Sequence, residues 1–470
     1  MTVKIKVFVV SVVAITSIAV GMGSAASAAP SASTTSASTP VAASTGQAVT
    51  AEQAAELAKN GVATGVAPSV PGSAPKMNAM KSKTCSAPSS AGTYECLEPA
   101  TVANVGKAEM AKLQKAAAGI ETKPSNSAKA PQQSAAAVDA DGTPLYPVDS
   151  CQKAQPEGEV VQTRFEACQL DDWVADIYQT DDDGSQELIG WVDGIDAIYS
   201  QMVDGSTNWA SGVDLEVLDT VGAGASAVLT AEPVCAGDAC NVLEIDAINM
   251  DPVTAEDEQI GSAYYDWTPV KGGTGLGEVA WTVTVETPGA VPGTAEFRNV
   301  PTRCDKALPN SNSVGCVDPD TTEYILFDTT VLPSFTHHLA EALGSGLPGA
   351  DYGSNPSPLH RLVNATLRNK NRSTACPASF PRPSGESCDE YPFASTKEGA
   401  FTGNGAGART FDGCDITLPN PSSTGPTGCS VCMIDATQNS KAGSDLQVQL
   451  YRPYRMLDGD TFNVDYTVIN

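Results

Sequence analysis

The sequence predicts a multidomain chain: a disordered and helical N-terminal region, a mostly antiparallel β-sandwich in the middle, and a small α+β domain at the C-terminus. Three observations predict this. The 470 residues suggest about two to four domains. A hydrophobic content of 41% is enough for sizeable cores and excludes wholesale disorder. The formal net charge of −28 is unevenly spread: residues 1–150 carry +2, residues 151–350 carry −28 and residues 351–470 carry −2. As a whole-chain average, that charge argues against a nucleic-acid binder, since neutralising phosphates needs surplus Lys and Arg. The objection applies to the middle of the chain and not to the last 120 residues.

In chain order, Lys4 and Lys6 precede an apolar run from Val7 to Val20, closed by Ala26-Ser27-Ala28. This order of charge, hydrophobe and small residues is that of a secretory signal peptide, assigned to residues 1–28. The run is shorter than the roughly 20 residues of a membrane span. A secreted, extracellular protein without stable membrane insertion is expected. Residues 29–150 read as a low-complexity and helical spacer or propeptide. Pro30 to Gly46 is Ser, Thr, Ala and Pro with almost nothing to bury. Glu52 to Lys59 is Ala-rich, and Val102, Val105, Met110 and Leu113 recur at helical spacing.

In an oxidising compartment the 13 cysteines are most simply read as disulfides. Cys85/Cys96, Cys151/Cys168, Cys235/Cys240, Cys304/Cys316 and Cys376/Cys388 fall into neighbours. Cys414, Cys429 and Cys432 form an odd set in which one thiol stays free or pairs between molecules. The C-x-x-C at Cys429–Cys432 offers zinc as an alternative, weakened by the lack of a second pair or a nearby His.

Residues 151–350 are assigned to an acidic, disulfide-containing β-sandwich. Val279, Trp281, Val283 and Val285 alternate with Glu278, Ala280, Thr282 and Thr284, a period of two that places one face on a core. Shorter runs at Leu243 to Ile248 and Tyr324 to Phe327 are read as further strands of this domain. The acidic stretch Asp181 to Glu187 suits a hairpin turn better than a calcium loop, because Gly184 falls too early and position twelve is Val192. His337 and His338, before Leu339 to Leu343 in a short helix, read as structural.

The chemistry is expected in residues 355–470. The phrase Ser387-Cys388-Asp389-Glu390-Tyr391-Pro392-Phe393-Ala394-Ser395-Thr396, continuing through Lys397-Glu398-Gly399-Ala400, closely resembles the signature of the NucA/NucB family of secreted bacterial deoxyribonucleases. The closing run Gln438-Asn439-Ser440-Lys441-Ala442-Gly443, then Leu446 and Leu450-Tyr451, then Arg455 to Phe462, is similar to that family's final segment. Pro358-Leu359-His360-Arg361 to Ala375-Cys376-Pro377 is similar to the lead-in of its larger exported members.

The resemblance implies a small nonspecific endonuclease that hydrolyses DNA with a divalent metal. Phosphodiester hydrolysis needs a cation to neutralise developing charge and a base to activate water. Asp389 and Glu390 supply adjacent carboxylates whose oxygens suit Mg²⁺ or Mn²⁺. On an extended strand they point to opposite faces, so they serve one site only if the backbone turns there, or else one is catalytic and the other structural. Asp389 is expected as general base or metal ligand, Glu390 as ligand or orienter, and Asn439 as a third member. No His lies within residues 376–470, so a carboxylate is expected to be the base. Arg382, Lys397, Arg409 and Arg455 are the candidate phosphate contacts. If Cys376 pairs with Cys388, the closed loop stabilises by about 3 kcal/mol in the chain-entropy model. Thr402 to Gly428, rich in Gly, Pro, Ser and Thr, reads as an insertion that loosens the spacing between Asp389 and Asn439. The alternative function is a secreted β-sandwich binding or cell-surface protein with an inactive nuclease-like domain. DNA is the expected partner of the C-terminal domain, and the partner of the β domain is left open.

Overall fold

Runs of β-branched and aromatic residues separated by Asp-Gly and Gly-rich turns build most of the structure, as their pleated-sheet preference requires. The computed structural model describes residues 83–100, 160–352, 356–403, 407–418 and 424–467. The expected signal peptide, the linker, the two helical patches and Cys151 lie outside these residues.

The first body is β apart from one 3-10 turn at Ala223–Ser226. Its strands are β1 Thr84–Cys85, β2 Thr93–Ala100, β3 Val160–Gln162, β4 Glu166–Thr180, β5 Gln186–Met202, β6 Asn208–Gly222 and β7 Val228–Ala236. They continue with β8 Asn241–Asp246, β9 Ile248–Met250, β10 Glu258–Asp266, β11 Thr274–Glu286, β12 Gly293–Arg298, β13 Thr302–Asp305 and β14 Gly315–Val317. One sheet runs β1-β2-β4-β5-β6-β10-β8 with β3 beside β4; the other runs β14-β13-β11-β7-β9 with β12 beside β11. One core takes Trp173, Val192, Ile198 and Leu215 from the first sheet, and Leu229, Trp281, Val283 and Phe297 from the second. Across it, Trp281 Nε1 donates to Ser211 Oγ at 2.9 Å. The alternation expected over 279–285 is realised, with Val279, Trp281, Val283 and Val285 all buried. Asp181 to Ser185 form the β4–β5 hairpin turn, and Gln186 and Glu187 begin β5. Gly184 takes a left-handed φ of 84° there, and its N–H donates to Asp181 O at 2.9 Å.

The second body follows as β15 Glu323–Phe327, α1 Pro333–Gly344, β16 Leu359–His360, α2 Ala365–Ala375, β17 Glu386–Tyr391, β18 Ala408–Arg409, β19 Cys429–Asp435, α3 Ala436–Asp445 and β20 Thr461–Tyr466. Two three-stranded sheets, β15-β20-β16 and β17-β19-β18, carry these helices. The helix starts are written locally. Asn364 Oδ1 accepts from Leu367 N at 3.1 Å to cap α2, and Asp435 accepts from Thr437 and Gln438 N–H to cap α3. Pro333 opens α1, where its missing N–H costs nothing.

The expectation that Tyr324 to Phe327 belongs to the β-sandwich is corrected: β15 pairs in parallel with β20. Ile325, Phe327, Phe335, Leu339 and Leu347 share one core with Tyr391, Phe393, Leu450 and Phe462. That hydrophobic cluster crosses the sequence-drawn boundary at 350–355, because α1 can bury its apolar face only against the strands that follow it.

Buried charge pairs join the two bodies. Arg164 and Arg303 of the β body both engage Asp460, Arg303 Nη1 at 2.7 Å. In return Arg455 reaches Asp305 at 2.6 Å and Asp204 at 2.7 Å. Four neighbour disulfides form as expected: Cys85–Cys96, Cys235–Cys240, Cys304–Cys316 and Cys376–Cys388. Cys168 is also disulfide-bonded. Of the odd set, Cys414 pairs with Cys432 and Cys429 is a buried free thiol, so the C-x-x-C holds no zinc.

Candidate active site

β17 and β19 form an antiparallel pair in which Asp389 faces Cys432, Glu390 faces Val431 and Tyr391 faces Ser430. Period-two alternation sends Asp389 and Glu390 to opposite faces of this ribbon. Asp389 turns to α1, where its Oδ2 lies 2.7 Å from His338 Nδ1. Glu390 turns to α2, with Oε1 3.9 Å from Arg372 Nε. Both still line one cleft of about 440 Å³, and β17, which carries them, is the edge strand of its sheet.

Asn439 lines the same cleft from the first turn of α3. Its Nδ2 donates to Ser387 Oγ at 3.0 Å and to Cys388 O at 3.2 Å, tying α3 to the strand that carries the carboxylates. The neighbouring Gln438 Oε1 accepts from Ser334 N at 2.8 Å and caps α1. The insertion expected to loosen the spacing is itself stapled: Cys414, within it, is bonded to Cys432, the register partner of Asp389. Asp389, Glu390 and Asn439 are thus brought together.

The cationic candidates divide differently. Arg409 and Arg455 are 1% and 0% exposed, and their expected role as phosphate contacts is corrected. Arg409 donates to the carbonyls of Ser345, Gly425 and Thr427, and Arg455 is spent on Asp305 and Asp204. A guanidinium enclosed by protein acceptors has no path to a phosphate. Arg455 also holds a left-handed φ of 45°. Arg382 is exposed but folds back on Cys376 O and Phe380 O, and Lys397 faces Asp458 at 3.5 Å. Neither lines the cleft.

Arg368 and Arg372 do line it. The stretch Arg368-Asn369-Lys370-Asn371-Arg372 on α2 holds the overlooked signal: residues four apart share a helix face. Lys370, between them, points elsewhere, with Nζ 4.7 Å from the Phe401 ring centroid. His338 was also missed as a neighbour of the site. Its sequence position, upstream of every motif, hid a contact that only the packing of α1 creates.

The electrostatics single out Glu390. Burial first, then the adjacent Asp389 charge, push its carboxyl up to about 8, against a smaller opposing pull from Arg372. No group of three or more His, Cys, Asp or Glu among the described residues is arranged to hold a metal ion. The cleft nonetheless fits a hard divalent cation of the Mg²⁺ kind, which is held by one or two carboxylates and keeps its remaining positions for water and substrate phosphate. Asp389, Glu390 and the Asn439 amide are oxygen donors of that type, and the raised proton affinity of Glu390 beside Asp389 marks a place short of positive charge.

No curated protein and no solved structure matches the chain. The cleft-forming residues of β17, α2 and α3 nevertheless all fall inside residues 354–465, which match the family model for Deoxyribonuclease NucA/NucB, and the C-terminal region of this chain is therefore similar to NucA/NucB deoxyribonucleases.

Proposed function

We propose that this protein is a secreted, metal-dependent, nonspecific endodeoxyribonuclease whose reaction takes place in the cleft between α2, β17 and α3. The observation that carries this reading is the convergence of Asp389, Glu390 and Asn439 with Arg368 and Arg372 on one cleft inside the family-matched residues. Backbone phosphate would sit against the two guanidiniums, whose geometry suits phosphate oxygens. Contacts of this kind read the backbone rather than base edges, which accounts for nonspecific cleavage. Asp389 would accept the proton of a water attacking phosphorus, while one phosphorus–oxygen ester bond breaks and the departing alkoxide takes a proton from solvent. Glu390 and the Asn439 amide would orient that water and, with Asp389, hold Mg²⁺ or Mn²⁺. The ion, when bound, would neutralise charge developing on the phosphate.

A nearly neutral C-terminal segment fits a nuclease that depends on a few local cations, with weak and salt-sensitive capture of DNA. Secretion is supported by the N-terminal sequence and the disulfides; among the described residues no helix is long and apolar enough to cross a membrane. The deciding experiment is nicking of supercoiled plasmid by the full chain with Mg²⁺ or Mn²⁺, then with chelator. Cleavage that needs the ion and is lost in Asp389→Ala is expected. A well-folded wild-type protein that cuts under neither metal refutes the proposal.

A further inference from the structure

His338 is 1% exposed, lies upstream of the family-matched residues and does not line the cleft, yet its ring makes two side-chain hydrogen bonds. Nδ1 is 2.7 Å from Asp389 Oδ2 and Nε2 is 2.9 Å from Ser430 Oγ. Nδ1 can donate to the carboxylate, and Nε2 shares a hydrogen bond with the Ser430 hydroxyl, which also reaches Tyr391 O at 3.4 Å. Ser430 is completely buried opposite Tyr391 in the β17–β19 register. The ring therefore bridges both strands from α1 and is pinned at each nitrogen. Phe411 stands beside it, with ring centroids 6.2 Å apart.

The helix that carries His338 is itself anchored to the site, since Gln438, next to Asn439, accepts from Ser334 N and Oγ at the start of α1. α1, β17 and α3 are thus linked pairwise: by His338 to Asp389, by Asn439 to Ser387 and Cys388, and by Gln438 to Ser334.

We infer that His338 is the positioning residue for Asp389, holding one carboxylate oxygen so that the carboxyl plane is fixed towards the cleft. The terminal torsion of an Asp side chain is broad and roughly two-fold, so an Asp held only by packing samples several orientations. A short hydrogen bond to a ring that cannot turn selects one of them. The inference rests on the proposed role of Asp389. His338 acts through Asp389 and touches neither DNA nor water in the cleft.

The test uses the full chain and supercoiled plasmid with Mn²⁺ or Mg²⁺, comparing His338→Phe, which fills the volume without a donor, with His338→Asn, whose amide N–H can replace Nδ1. Losing the anchor should lower kcat about 10- to 100-fold in His338→Phe, as supporting partners of catalytic and metal-binding groups typically do, with KM changed less than about threefold. His338→Asn should recover most of that loss. A Phe variant as active as wild type overturns the inference, as does an effect on KM alone or an Asn variant no better than the Phe variant. If the His338 variants do not fold, Ser430→Ala carries the test: kcat falls at unchanged KM if the pinned ring matters, and an unchanged kcat overturns it. Wild-type chain that cuts nothing refutes the nuclease proposal itself, a result distinct from active wild type with indifferent variants.

Discussion

Asp389 and Glu390 are adjacent in sequence and sit in opposite surroundings. One is hydrogen-bonded to a buried imidazole, and the other faces the Arg372 guanidinium. The arginines separate into two classes by the same measure. Arg372 has a side chain 57% exposed and opens onto the cleft, whereas Arg409 is enclosed. Arg372→Ala should therefore raise KM for plasmid about three- to tenfold and flatten its salt dependence while leaving the melting temperature nearly unchanged, since one phosphate contact is lost. Arg409→Ala should do the reverse. It strips hydrogen bonds from buried carbonyls and should cost about 1–3 kcal/mol of stability in denaturant titration, with KM unaltered. A KM effect for Arg409 with intact stability would contradict its placement.

Among the elements, β15 and α1 are decisive. β20 has β15 on one side, and the apolar face of α1 fills the core beneath Tyr391 and Phe393. A fragment starting at residue 355 lacks Phe327, Phe335 and Leu339, each 2% exposed or less. Losing even one such side chain from a core typically costs about 2–5 kcal/mol. Fragment 355–470 should give no cooperative thermal unfolding by circular dichroism, and a sharp transition would show that the second body does not need these elements. The family match begins at residue 354, so the matched segment and the folded unit have different starts.

For the whole molecule, the two bodies are coupled by arginine–carboxylate pairs, and truncating one partner of a buried pair such as Arg455–Asp305 would leave the other charge buried and unpaired, a loss worth about 3–5 kcal/mol. The acidic β body is thereby more than a tethered spacer. Buried carboxyls in both bodies also set a pH dependence. Burial first, then Glu258 and Glu216, raise Asp214 to about 8, and burial raises Glu323 to about 7. Carboxyls with raised folded-state values bind their protons more tightly when folded, so their contribution is complete below about pH 4 and is lost as pH rises towards 8. Asp460, lowered chiefly by Arg164 and Arg303 against the opposing effect of burial, works in the other direction and loses its contribution only in strong acid. The melting temperature should thus peak near pH 4–6 and fall towards pH 8. Asp214→Asn should raise it at pH 8 by about 3 °C and change little at pH 4. Equal effects at both values would remove titration of Asp214 as the cause.

Short-range physics was legible along the chain. The period-two run at 279–285, the Asp-Gly hairpin, neighbour disulfides and the acidic phrase at 389–390 all depend on residues a few positions apart, and each is found where its spacing placed it. Asp389, Glu390 and Asn439 could be named because their neighbours in sequence carry a family signature. Which arginines face solvent, which strand closes the second sheet and which side chain holds Asp389 depend on contacts between residues far apart. His338 and Asp389 are 51 positions apart, and Arg455 and Asp305 are 150 apart. No local pattern encodes such meetings; burial of one apolar face against another decides them, and the charged side chains then take the partners that packing leaves within reach.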